Sequence, residues 1–249
     1  RKIIGFPSVQ KENKYKQMKP FHFQKFSIQQ SKEVFRVGTD GVLLGVFANV
    51  SNKSKILEIG CGTGIISLML AQRNPKAEIF AIDIDENAVE LAKINFENAP
   101  FSKRLNVEKA DFTEFKTENL FDLIICNPPY FEANPSEKDI LARQKIALNF
   151  EDLIKNVCKF LNETGFFSVI IPAEEFENFY QISIENGLHL RKKIKIFGIE
   201  GGALKRVIIE FSKTEFETEI SQFTIEKSPR KYSDEYLELT KGFHLFGER

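Results

Sequence analysis

From Lys55 onward the chain alternates short apolar runs with stretches of helical spacing, and this rhythm limits the fold more than any other feature. Lys55–Ile59 reads as a strand and Ile65–Gln72 as a helix; Glu78–Ile82 is the next strand and Glu86–Asn95 the next helix. Leu105–Lys109 and Phe121–Cys126 are further strands, Phe150–Leu161 has helical spacing, Phe166–Ile171 is a fifth strand, and Glu174–Asn186 is a helix. Strands that alternate with helices predict a doubly wound, mostly parallel sheet with right-handed crossovers. The rhythm then changes. Leu188–Phe197 and Lys205–Ser212 are β-rich, flank Gly198-Ile-Glu-Gly201-Gly202 and have no helix between them, so they are expected to pair as an antiparallel hairpin at the sheet edge.

Before the sheet, Phe21 to Ile28 alternates apolar and polar residues as a short strand or hairpin would. Thr39-Asp40-Gly41 precedes an apolar run to Ala48, with Thr39 or Asp40 as the expected N-cap of a helix. Residues 1–18 are polar, Lys-rich and aperiodic; they read as disordered or as an upstream extension, with Met18 a plausible start. Residues 19–249 are expected to form one domain, with 19–50 a small elaboration on it.

Three cysteines, Cys61, Cys126 and Cys158, are too few and too scattered for a disulfide framework, and no spacing suggests a metal site. No run approaches transmembrane length, no signal peptide is legible, and the expected compartment is the cytoplasm. Formal net charge is zero, yet cations cluster in the first 36 residues and again at Arg191, Lys192, Lys193, Lys195, Lys205 and Arg206, while acids gather at Glu215, Glu217 and Glu219. Such clusters can meet phosphates under a neutral total.

The chemistry is concentrated at predicted strand ends. Asn127-Pro128-Pro129-Tyr130 follows Phe121–Cys126 directly, where open α/β sheets gather ligands. The Asn127 side-chain carbonyl and the Pro128 main-chain carbonyl offer two acceptors for one planar NH₂ group, and Tyr130 offers a face for stacking. Such an amine is a poor nucleophile because its lone pair is delocalised, and acceptors on its hydrogens push the nitrogen toward sp³.

Glu58-Ile-Gly60-Cys-Gly62-Thr-Gly64 lies between the first strand of the sheet and its helix. Glycines there let a ligand approach the backbone, and the helix start adds a positive dipole end. Asp83 ends the second strand, where a carboxylate can accept two ribose hydroxyls. Asp111 follows the third, placed to receive an adenine amino group. Ile65 stands where the dinucleotide fingerprint requires glycine, and there is no Walker lysine. Asp85, directly before Glu86, is the better helix cap of the two neighbouring aspartates.

Taken together these residues resemble a class I S-adenosylmethionine-dependent methyltransferase, a Rossmann-like fold with a seven-stranded sheet and a C-terminal antiparallel hairpin. Phe26-Ser-Ile-Gln-Gln30, Val37-Gly-Thr-Asp-Gly-Val-Leu-Leu-Gly45, Asn127-Pro-Pro-Tyr-Phe131, and Tyr232 with Leu239 to Leu245 are similar to the bacterial tRNA1(Val) adenine-N6 methyltransferases, which act on adenine 37. That family often has histidine where this chain has Gln144. The resemblance implies N6-methylation of a tRNA adenine, with S-adenosylmethionine as cofactor, no metal, no membrane and no obligate protein partner. It implies that Glu58, Gly60, Gly62, Gly64, Asp83 and Asp111 hold the cofactor, that Asp40 closes over it, and that Asn127, Pro128 and Tyr130 serve the acceptor, Asn127 lying against both. A glutamine-amide methyltransferase acting on release factors and a non-catalytic RNA-binding module are the alternatives.

Overall fold

The structure, a computed structural model, describes residues 18–128 and 149–245. Two short strands, β1 (Phe21–His22) and β2 (Ser27–Ile28), form the expected N-terminal hairpin, with Phe21 opposite Ile28. Helix α1 (Thr39–Phe47) follows, then β3 (Lys55–Ile59), α2 (Ile65–Arg73), β4 (Glu78–Asp83), α3 (Glu86–Glu97), β5 (Leu105–Lys109) and β6 (Phe121–Cys126). After residue 148 come α4 (Phe150–Phe160), β7 (Leu161–Pro172), α5 (Phe176–Glu185), β8 (His189–Ile199), β9 (Leu204–Ser212), β10 (Glu219–Ser228), β11 (Lys231–Tyr232) and α6 (Asp234–Thr240).

The large sheet has nine strands in the order β11-β10-β8-β9-β7-β6-β3-β4-β5. Strands β5, β4, β3, β6 and β7 are parallel to one another, and β9 runs antiparallel between β7 and β8. The predicted hairpin is therefore present, and its position is corrected: it does not end the sheet, because β10 pairs parallel to β8 and β11 adds to β10. The sequence reading had no strand there because β10 buries only Phe223 and leaves Ile220 64% exposed, too weak a period to read. Strand β7 is also longer than expected. Its pairing with β6 shifts between Leu161 and Phe166, so residues 162–165, which read as a turn, bulge within one strand.

Alternate residues of the inner strands face opposite layers, and both layers are apolar. Ile56, Ile79, Leu123, Ile125 and Ile170 pack with Leu43, Leu44, Leu68 and Met69 of α1 and α2. Leu57, Ile82, Ile124, Val169 and Ile171 pack with Leu153, Val157 and Phe179 of α4 and α5. Sheets buried on both faces need such continuous apolar strands. Close approach of α1 to α2 depends on Gly45, where an added Cβ would lie 2.8 Å from Met69 Sδ.

The N-terminal hairpin is pinned to the C-terminal segment. Gln24 N–H donates to Phe243 O at 2.9 Å, Gln24 Nε2 donates to the Lys241 and His244 carbonyls, and the Phe23 ring stacks on His244. His244 Nε2 lies 3.2 Å from the Tyr236 hydroxyl, and His22 Nδ1 lies 2.8 Å from Ser27 Oγ, so both histidines serve local structure. No helix among the described residues is long and apolar enough to cross a membrane.

Candidate active site

Parallel register brings the predicted residues to one edge of the sheet. Ile59 of β3 is level with Ile82 of β4 and with Cys126 of β6, and Asp83 is level with Lys109 of β5. Asp83, the glycine loop, Asp111 and Asn127 therefore emerge from four adjacent strands, a width of about 15 Å at the usual strand spacing. Asn127 is partly exposed and Pro128 buried; Pro129, Tyr130 and Phe131 lie outside the described residues.

Gly60, Gly62 and Gly64 all have left-handed backbone, with φ of 70°, 53° and 77°. A Cβ at Gly60 or Gly62 would meet nothing within 4 Å, whereas at Gly64 it would come within 2.4 Å of Phe96. The first two glycines thus line open space and the third closes the loop onto α3. Gly60 and Cys61 both donate to Ile82 O, which seats the loop on the end of β4.

Asp83 is held by that loop. Its Oδ2 accepts from Gly62 N–H at 2.9 Å and its Oδ1 from Asp85 N–H at 3.0 Å. Burial raises its pKa, opposed by those two N–H donors. Each oxygen keeps a lone pair for a hydroxyl donor. Ile84, next in sequence, leaves its side chain 42% exposed beside the carboxylate, an apolar surface that the motif search overlooked. Asp85 caps α3 as expected, accepting from Asn87 N–H.

Glu58 is 1% exposed. Its Oε2 accepts from the Ser67 N–H at 2.9 Å and from the Ser67 hydroxyl, while Oε1 is buried with no hydrogen-bond partner among the described residues. Burial, offset in part by Ser67, pushes its pKa up to about 8, and the nearby Asp83 charge adds to the rise. An orphaned carboxylate oxygen under a glycine loop suits a ligand that brings a donor or a positive charge.

The Asp111 carboxylate is held locally: Oδ1 accepts from Thr113 N–H at 2.8 Å and Thr113 Oγ1 at 2.7 Å, which fixes its orientation. Phe112 beneath it is buried against Phe115 and Phe160, and Asn156 Nδ2 of α4 donates to Phe112 O. Asn95 went unnoticed in the sequence because it sits mid-helix without a motif. Fully buried, it donates to Thr63 O at 2.9 Å and Gln29 O and accepts from Gln29 N–H, joining the glycine loop, α3 and the N-terminal hairpin.

Asp40 stands apart from these groups. The expected cap is corrected: Gly38 is the N-cap of α1, without a side-chain hydrogen bond, and Asp40 lies in the first turn. Its Oδ2 accepts from Arg206 Nε at 3.0 Å, a link between α1 and β9. The adjacent Gly41 lies beside Ile65, so α1 starts next to the start of α2 and the glycine loop. Phe35, on the approach to α1, is 68% exposed. No cluster of metal-ligating side chains occurs among the described residues. A groove of ≈ 510 Å³ lined in part by Phe26, Ser27, Asn95 and Asn98 belongs to the hairpin and lies away from these carboxylates.

Comparison with known proteins identifies the family of the chain. The methyltransferase small domain family matches residues 28–179. A tRNA1(Val) (adenine(37)-N6)-methyltransferase of Flavobacteriaceae bacterium strain 3519-10 is 49% identical over 231 residues, covering 92% of this chain and all (100%) of the relative. The protein of the same name from Flavobacterium psychrophilum is 43% identical over 231 residues, covering 90% and 99%. Among solved structures, protein Atu636 of Agrobacterium tumefaciens, described as a predicted O-methyltransferase, superposes with a TM-score of 0.60 at 21% identity, over 82% of this chain and 96% of that one. The chain belongs to the methyltransferase small domain family, alongside the bacterial proteins named tRNA1(Val) (adenine(37)-N6)-methyltransferase.

Proposed function

We propose that this protein transfers a methyl group from S-adenosylmethionine to N6 of an adenine in tRNA, adenine 37 of tRNA1(Val) being the position named for its relatives. The observation that carries the reading is the register of β5, β4, β3 and β6, which sets Asp111, Asp83, the glycine loop and Asn127 side by side at one sheet edge.

The residues fit the cofactor. Gly60 and Gly62 border open space that a Cβ would occupy, Asp83 keeps acceptor capacity for ribose hydroxyls, and Glu58 Oε1 lacks a partner among the described residues. Asp111, held by Thr113, would receive the adenine amino group of the cofactor, and Ile84 would cover an adenine face. Asp40 would close the site from α1. When bound, S-adenosylmethionine supplies a methyl group made electrophilic by its sulfonium.

The chain itself then has to hold and align the acceptor. Asn127 and the Pro128 carbonyl accept hydrogen bonds from the target N6 amino group, drawing its lone pair out of conjugation and toward the methyl group. Tyr130 stacks on the base, which leaves its own stack to reach the site. The N6 lone pair would take the methyl group as the methyl–sulfur bond breaks with its electron pair left on sulfur, and the amine would then lose one proton to solvent, so no strong base is required. The described residues from Lys19 onward would act as one unit, a reading supported by the ties of the hairpin to α3 through Asn95 and to the C-terminal segment through Gln24. An enzyme acting on tRNA works in the bacterial cytoplasm.

Methyl transfer from labelled S-adenosylmethionine to unmodified tRNA, with nucleoside analysis and a release-factor control, tests the reading. N6-methyladenosine in tRNA supports it; label in the release factor, or in neither, overturns it.

A further inference from the structure

The cationic clusters legible in the sequence are divided by the fold into two groups with different surroundings. Arg191 and Lys192 lie near the start of β8, Lys192 in the row of Ile125. Arg191 pairs with Glu210 and Glu219, and Lys192 lies 4.0 Å from Glu219. These charges are spent within the sheet. Arg206 at the other end pairs with Asp40.

Lys193, Lys195 and Lys205 differ. In register Lys193 is opposite Ile209 and Lys195 opposite Val207, and both partners belong to the apolar layer under α4 and α5. Residues directly opposite share a face, and so do residues two apart on one strand. Lys193 and Lys195 therefore stand on one face of the β8–β9 hairpin, and Lys205 adjoins them at the irregularity where β9 carries one extra residue between Arg206 and Leu204. Lys193 Nζ lies 3.1 Å from the centre of the Phe176 ring, near the Glu177 charge. Lys195 and Lys205 have no carboxylate within ion-pair distance among the described residues, and Lys205 is exposed.

The register also fixes the height of this column. Ile209 is level with Val169 of β7, and Val169 with Cys126 of β6, so Lys193 stands in the row of Cys126. Lys195 stands about 7 Å higher, past Asn127, and Lys205 lies beyond the last paired residue of β7, Pro172. Sideways, β9 is two strands from β6 and β8 is three, roughly 10 and 15 Å. The column thus begins level with Cys126, next to Asn127, and rises past it two to three strands away.

We propose that Lys193, Lys195 and Lys205 bind the phosphates of the RNA strand that carries the target adenine, and that Arg191 and Lys192 take no part. The inference rests on the tRNA reading above and adds to it the surface that receives the strand. Sequence alone placed all of these cations in one basic cluster; only the register and the carboxylate pairings separate them.

The test is tRNA affinity against salt concentration for wild type, Lys205→Gln, Lys195→Gln/Lys205→Gln and the triple variant with Lys193→Gln. Lys76→Gln, at the opposite end of the sheet before β4, is the control, and cofactor affinity reports folding. Each lost phosphate contact is expected to flatten the log–log salt slope by about 0.7–0.9, and the triple variant to bind tRNA at least roughly tenfold more weakly near 0.1 M salt. Cofactor affinity stays unchanged. Lys205→Gln changes an exposed side chain, so its effect on slope is free of folding defects. Slopes and affinities equal to those of wild type and Lys76→Gln, or wild-type binding that does not weaken with salt, overturn the proposal. The methylation reading is scored separately, by whether the wild-type protein yields N6-methyladenosine.

Discussion

Asp83 Oδ2 accepts a hydrogen bond from the Gly62 backbone N–H at 2.9 Å, so the carboxylate assigned to the ribose also fixes the middle of the glycine loop. One side chain thereby sets both the ligand contact and the shape of the cradle. Asp83→Ala removes the Gly62 and Asp85 contacts together. Hydrogen bonds to charged groups contribute about 1.5–3 kcal/mol each, so cofactor affinity measured by calorimetry should fall by at least roughly tenfold. Asp83→Asn keeps one acceptor oxygen and should fall between the two.

The third glycine of the loop makes a different demand. Gly64 combines a φ of 77° with a Cβ position 2.4 Å from the Phe96 ring, so Gly64→Ala suffers both left-handed strain and a clash. The expected loss is about 2–4 kcal/mol, read from denaturant unfolding. Gly60→Ala meets open space and should lose only the conformational part, about 1–2 kcal/mol, while hindering the cofactor directly.

Glu58 predicts a pH dependence. Its ordinary pKa of 4.5 applies in the unfolded chain and rises to about 8 in the fold. Between those values the folded protein keeps a proton that the unfolded chain has released, so stability without cofactor falls as pH rises from about 4.5 to about 8 and levels off above it. Glu58→Gln removes this contribution. Thermal melts across that range should show the wild type losing several kcal/mol more than the variant toward alkaline pH. Parallel curves would refute the buried protonated carboxyl.

Much of this was legible in the sequence, and for definable reasons. Strands β3 and β6 have the predicted bounds because they are buried on both faces and interrupted by glycine or polar residues, and the edge strand β5 has them because Leu105 and Val107 alternate with polar residues. Asp83, Asp111 and Asn127 stand at strand ends, where chain order alone predicts convergence. What escaped depends on partners distant in sequence. Asn95 has no local signature and acquires its role from Gln29 and Thr63. Asp40 read as a cap, yet its partner is Arg206, 166 residues away. Strand β10 buries too little to show a period and exists because β8 offers it an edge.

The most direct test of the account compares Asn127→Ala with wild type in paired measurements of cofactor affinity and single-turnover methyl transfer to tRNA. Removing a preorganised polar group at the reacting centre costs on the order of 3 kcal/mol. The account predicts unchanged cofactor affinity with transfer slowed by roughly a hundredfold or more. A near-wild-type rate, or a loss confined to cofactor affinity, would contradict it.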